Sequence, residues 1–235
     1  MDLIKQLRAL TDDILGLRQT LQKSQPIPTR EYKFAIYHLE ALLLDLRSNS
    51  KQGPNVAEMK GGLDRELAAL NRLHELSTTL LKDSRDKDVA FNLRQVLLAS
   101  IELLGADKGN IQLYDERAQA LKIVTHVGFD QTFLDLFKSV PSGGNCACGK
   151  VLAGKERVIV EDFRTDPRFT DFGPICAAHD FVAVQSTPLF GSDDRLYGIL
   201  STHFRQPHRP SQRELYLLDC YAGLAEQVIE CKPLS

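Results

Sequence analysis

With 235 residues, 29 Lys and Arg against 31 Asp and Glu and a net charge of −2, the chain has no basic excess to offer nucleic acid. Its 43% hydrophobic content suffices for a sizeable core, yet no apolar run approaches the roughly 20 residues of a membrane span. Five cysteines form neither a dense nor an even set, and the charges spaced along Met1–Arg8 argue against a secretory leader, so a cytoplasmic protein with reduced thiols is expected.

Residues 1–104 read almost entirely as helix. Leu3, Leu7, Leu10, Ile14, Leu17 and Leu21 alternate spacings of four and three, the seam of a coiled coil. Pro26 and Pro28 end it, because proline lacks an N–H and turns its predecessor out of the helical region. Tyr32, Ile36, Leu39, Leu43 and Leu46 repeat the pattern, and a turn-rich connector follows over Asn49–Asn55. A third stretch carries Leu63, Leu67, Leu70, Leu73, Leu76 and Leu80, with a stripe that winds around the helix. A fourth starts near Asp86 or Asp88, either one a fitting N-cap, and stops at Gly105 after Leu104. Seams this regular want partners, within the chain or in a second copy.

From Gly109 the period changes. Asn110–Tyr114 alternates polar and apolar residues as a half-buried strand does, and Leu121–Val127 forms a second strand after a turn over Asp115–Gln119. A short helix is expected over Gln131–Val140 and another strand over Arg157–Val160. Phe181–Leu189 and Leu196–Phe204 then pair as a hairpin across Gly191–Asp194. The last helix opens on Ser211-Gln212-Arg213-Glu214, a capping box behind Pro210, and runs to about Cys231. Strands grouped in hairpins and flanked by helices define an α+β fold with a mainly antiparallel sheet.

Several segments of this half resemble a GAF domain of the bacterial sensor type. They are Leu103–Tyr114, Ala147-Cys148-Gly149, Val160-Glu161-Asp162, Thr165–Phe169, Gln185–Leu189, and Gly198–Phe204 followed by Pro207-His208-Arg209-Pro210. Spread in order over residues 90–231, they cover about three fifths of the chain. Asn71–Thr78 is similar to the signalling helix that precedes such modules. The resemblance implies a six-stranded antiparallel sheet with the terminal helices on one face and a small-molecule pocket under loops and short helices on the other. It also implies homodimerisation through those helices. The domain organisation expected is an N-terminal helical dimerisation region over 1–56, a signalling helix over 57–88 and a GAF domain over 89–235.

The expected pocket lining is Gln112, Tyr114, Gln185, Thr187, Ser201 and His203 from the strands, with Phe169, Phe172 and Cys176 from the covering segment. Cys146, Cys148, Cys176 and His179 are the candidates for redox chemistry or a metal, since thiolates and an imidazole can complete a tetrahedral set. A helix after Asn145 would hold Cys146 and Cys148 near its N-terminus, where the helix dipole favours thiolate. Small buried side chains are the plainer role for the same cysteines. Cys148 stands where the family commonly has a cysteine, whereas Cys146 does not.

Three ligand classes known in the family fit poorly. Free methionine sulfoxide reductases use pocket cysteines similar to Cys148 and Cys176 but also place carboxylates on the sheet, and the hairpin here has none. Bilin attachment uses an adjacent Cys-His pair, whereas Cys176 and His179 are three apart. The Phe-x-x-x-Asp-Glu signature of cyclic-nucleotide binders is missing, and Pro141–Asn145 is a weak phosphate loop without a following Lys-Ser/Thr. His38 and His74 lie on helices without the context of a phosphoacceptor. The expectation is therefore a non-enzymatic sensory protein that takes a small molecule or reads redox state and relays it through dimeric helices to a signalling partner. Its cofactor is unidentified. A sulfoxide reductase-like enzyme and a purely structural dimerisation module are the alternatives.

Overall fold

A computed structural model describes residues 68–80 and 88–231. The chain divides into two compact units, 1–82 and 83–235. In the first, residues 68–80 form a helix (α1) with Leu70, Leu73, Leu76 and Leu80 buried. The seams over residues 3–46, the connector at 49–55 and the junction at 81–87 lie outside the described residues. So does the continuity of the signalling helix into the second unit.

In the second unit, α2 spans Val89–Leu104. The Asp88 side chain accepts the Ala90 N–H at its start, and Gly105 closes it in the left-handed conformation at φ 61°. Then come β1 (Lys108–Asp115), β2 (Ala120–Val127), α3 (Gln131–Leu136), β3 (Val140–Pro141), α4 (Ala147–Gly154) and β4 (Val158–Val160). A 3-10 turn (Pro167–Phe172), α5 (Gly173–Ala178), β5 (Ala183–Phe190), β6 (Leu196–Phe204) and α6 (Gln212–Cys231) complete the unit. Among the described residues, no helix is long and apolar enough to cross a membrane.

The six strands form one antiparallel sheet in the order β3-β2-β1-β6-β5-β4. Helix α3 is shorter than its sequence pattern suggests. It ends at Phe137 because the chain must extend at Val140–Pro141 to pair with Leu121 and Ala120 as β3. A two-residue edge strand containing proline leaves no periodic signal, and the edge is where a residue without an N–H is tolerated.

Strand alternation sends successive side chains to opposite faces. Helices α2 and α6 lie side by side on one face. There Gly109 admits α2 so closely that a Cβ would sit 2.9 Å from both Leu97 Cδ1 and the Ser201 carbonyl. Ile111, Leu113 and Leu200 pave the sheet on this side, and all are buried. The capping box is formed as expected: Glu214 accepts from the Ser211 N–H at 2.7 Å, and Ser211 Oγ accepts the Glu214 N–H at 3.2 Å.

The other face carries α3, α4, the 3-10 turn and α5. Phe129, Phe133, Phe163, Phe169, Phe181, Val184 and Cys176 form one buried cluster there, and Cys146, Cys148, Val151 and Ile199 belong to a second. The covering segment is stitched to the sheet. Val182 N–H donates to the Phe204 carbonyl at 2.8 Å, Phe163 N–H to the Val182 carbonyl at 2.8 Å, and Lys108 Nζ to the His179 carbonyl at 2.5 Å.

Candidate functional site

Register decides which polar side chains meet. Asn110 pairs with Ser201, Gln112 with Ile199, and Ser186 with Ser201, so Asn110, Gln112, Ser186, Ser201 and His203 all face the covering segment. They floor a small, partly open cavity of about 30 Å³, whose lining also includes Phe133, Phe137, Phe163, Phe172 and Phe181 together with Cys146 and Cys148. That volume admits about one or two waters, well short of the several hundred Å³ that a metabolite-sized ligand occupies.

The floor is polar but uncharged. Ser186 Oγ and Ser201 Oγ share a hydrogen bond at 2.8 Å. His203 packs edge-on against Phe129 and Phe181, both at 4.9 Å between centroids. Burial, together with the nearby Lys108 ammonium, pushes its pKa down to about 3, so the ring is neutral at physiological pH. Its Nδ1 and the Asn110 Oδ1 are buried without a hydrogen-bond partner among the described residues. Such buried groups ordinarily find a partner.

Helix α4 positions the thiols. Cys146 is its N-cap, with extended backbone, and its sulfur accepts the Gly149 N–H at 3.3 Å. Cys148 sits two residues along, its sulfur 3.1 Å from that of Cys146. The thiol of Cys148 and the helix N-terminus both favour a thiolate on Cys146 and draw its pKa down to about 7, while the same hydrogen bond and burial hold Cys148 well above the ordinary thiol range.

Of the lining expected from sequence, Gln112, Phe172, Ser201 and His203 surround the cavity. Phe169 and Cys176 belong to the core behind it, and burial raises the Cys176 thiol to about 12. Tyr114 packs farther out, against the Cys146 and Cys148 side. Gln185 and Thr187 are on the opposite face. Gln185 pairs with Thr202 and Thr187 with Leu200, and Thr187 Oγ1 accepts from Arg157 Nε at 3.1 Å while Arg157 also pairs with Asp219 of α6. Taking polar residues of β5 as cavity-facing chose the wrong alternate pair, since Ser186 is the one that points inward. Asn110, Ser186, Phe133 and Phe137 join the lining with no motif to point to them, although Asn110 shares the strand parity of Gln112.

His179 caps α5. Its Nδ1 lies 3.6 Å from Asp130 Oδ1, and its ring lies edge-on to Phe133. The four candidate metal ligands do not gather: among the described residues, no group of three or more His, Cys, Asp or Glu is arranged to hold a metal ion.

The model of the GAF domain family matches residues 91–230. The chain belongs to the GAF family. Solved structures agree on the fold of this GAF domain. The GAF domain of a phosphoenolpyruvate-protein phosphotransferase from Acinetobacter superposes with a TM-score of 0.56 at 17% identity, covering 70% of this chain and 94% of that one. A substrate complex of free methionine-R-sulfoxide reductase from Neisseria meningitidis gives 0.57 at 20% identity, covering 71% and 90%. A protein described as a GAF sensor from Burkholderia vietnamiensis gives 0.56 at 12% identity, covering 69% and 94%. No curated protein matches the chain.

Proposed function

We propose that the protein is a sensory or regulatory GAF protein, without catalytic turnover of its own, whose cavity takes a small uncharged ligand. The observation that carries this reading is the cavity itself. No Asp, Glu, Lys or Arg is among its lining residues, and two of those residues, Asn110 and His203, each bury a polar atom without a partner among the described residues. An ionic ligand would have to shed its hydration against phenylalanines with no counter-charge, a cost of several kcal/mol, whereas a neutral ligand avoids that cost. Ligand entry requires the covering segment to move, which would displace the sheet beneath α2 and α6. A homodimer through the terminal helices would carry the response. A downstream signalling protein would read that response in the cytoplasm.

The test is hydrogen exchange on natively purified full chain against the same protein after extraction of bound small molecules, with native mass spectrometry on both. A bound neutral species that slows exchange across 89–104 and 212–231 is the expected result. An empty cavity in every preparation, with identical exchange, would leave the structural dimerisation module in its place.

Two observations favour a second reading, a sulfoxide reductase-like enzyme: the shared fold and the thiols that line the cavity. Against it, the floor offers no carboxylate for an amino acid's ammonium group, and the Cys176 thiol is buried and raised to about 12. NADPH consumption with thioredoxin, its reductase and free methionine sulfoxide separates the two, and no turnover above a background without the protein is expected.

A further inference from the structure

We propose that Cys146 and Cys148 form a peroxide-reactive dithiol, which hydrogen peroxide admitted to the cavity converts to an intramolecular disulfide. The geometry argues for it from three sides. The two sulfurs lie 3.1 Å apart, inside van der Waals contact, and only Ala147 separates the residues, so a bond between them closes a small ring within one turn of chain. Cys146 is held as the nucleophile. Its sulfur caps α4, accepting the Gly149 N–H and facing the Cys148 thiol, and its pKa is drawn down to about 7. The cavity that both thiols line measures about 30 Å³, room for a molecule little larger than water and not for a bulky oxidant. Its floor is polar and uncharged, with the Ser186 and Ser201 hydroxyls 2.8 Å apart.

The chemistry balances with hydrogen peroxide as the sole oxidant. The Cys146 thiolate attacks one peroxide oxygen, the O–O bond breaks, and the leaving hydroxide takes a proton to become water, leaving a sulfenic acid on Cys146. Cys148 sulfur then attacks the Cys146 sulfur, the S–O bond breaks, the displaced oxygen leaves as a second water with the Cys148 proton, and the disulfide remains. An external dithiol would return the pair to its reduced form by exchange. Oxidation also removes the thiolate that caps α4, so the Gly149 N–H loses its acceptor and the wall of the cavity changes with it. The oxidation depends on thiol chemistry and the sensory reading on ligand occupancy, so the two fail by different measurements.

Trypsin cutting after Lys138 and Lys150 releases Ser139–Lys150, which holds Cys146 and Cys148 and no other cysteine. Reduced full-length protein is treated with equimolar hydrogen peroxide, denatured into N-ethylmaleimide and mapped by peptide mass. The expected result is an unlabelled Ser139–Lys150 that has lost two hydrogens, while Cys176 and Cys220 remain labelled. Cumene hydroperoxide, too large for the cavity, should leave both thiols labelled over the same time. Cys148→Ser should stop at a sulfenic acid on Cys146, trapped by dimedone, and Cys146→Ser should leave Cys148 labelled. Two maleimides on Ser139–Lys150 under conditions that oxidise the exposed Cys231 would overturn the proposal, as would a dimedone adduct on Cys148 in the Cys146→Ser variant. The wild-type map decides the matter even where a variant does not fold.

Discussion

The two faces of the sheet bury polar side chains in comparable number and treat them differently. Under α2 and α6, Gln185 pairs with Thr202 on the face that also carries Ile111, Leu113 and Leu200, and α2 closes on it so tightly that only glycine fits at position 109. Under the short helices, Asn110, Gln112, Ser186, Ser201 and His203 are left around a void. Long helices offer an unbroken ridge that fills a sheet's grooves, whereas pieces of six or eight residues joined by turns do not. The first face is built for rigidity and the second for exchange.

If that contrast is right, truncation should be felt most on the helix side. Leu97→Ala, at a fully buried position against Gly109, should cost about 2–5 kcal/mol in urea unfolding. Acid should attack the cavity side next. The folded His203 has a pKa of about 3 against 6.5 unfolded, so below pH 6.5 the unfolded chain takes up the proton first and stability falls as pH drops toward 3. By pH 4 the component should be on the order of 2–3 kcal/mol, and His203→Gln should flatten the fall in melting temperature between pH 6.5 and 4. Phe172→Ala, at the cavity wall, should cost no more than about 2 kcal/mol, because the atoms removed already border a void. A cost equal to that of Leu97→Ala would break the comparison. The smallest expected effect is Ser211→Ala, about 1 kcal/mol, from loss of the α6 cap.

Sequence reading succeeded where a local rule has one answer. Asp88 and Gly105 bound α2 as their capping chemistry demands, and Ser211 with Glu214 starts α6. Cys146 and Cys148 fall at a helix start because the Gly143-Gly144-Asn145 turn precedes them. Failure came where parity along a strand had to be chosen without its neighbours. Gln185 and Ser186 are equally polar, and only pairing with β6 shows that Ser186 meets Ser201 across the cavity. Nor does chain order reveal that Phe133 of α3 would stand edge-on to His203, since that contact spans seventy residues and depends on the whole sheet.

Gln185 and Ser186 also place two unlike rungs back to back on the same pair of strands. Ser186 holds Ser201 across the void, while Gln185 faces Thr202 beneath the helices, and both amide atoms of Gln185 lack a partner among the described residues. One peptide unit joins them. Any sliding of β5 along β6 that a guest imposes in the void is therefore the same sliding, read from behind, under α2 and α6. Under the proposed sensory role, the sheet would serve as a thin diaphragm between a chemical chamber and a mechanical one.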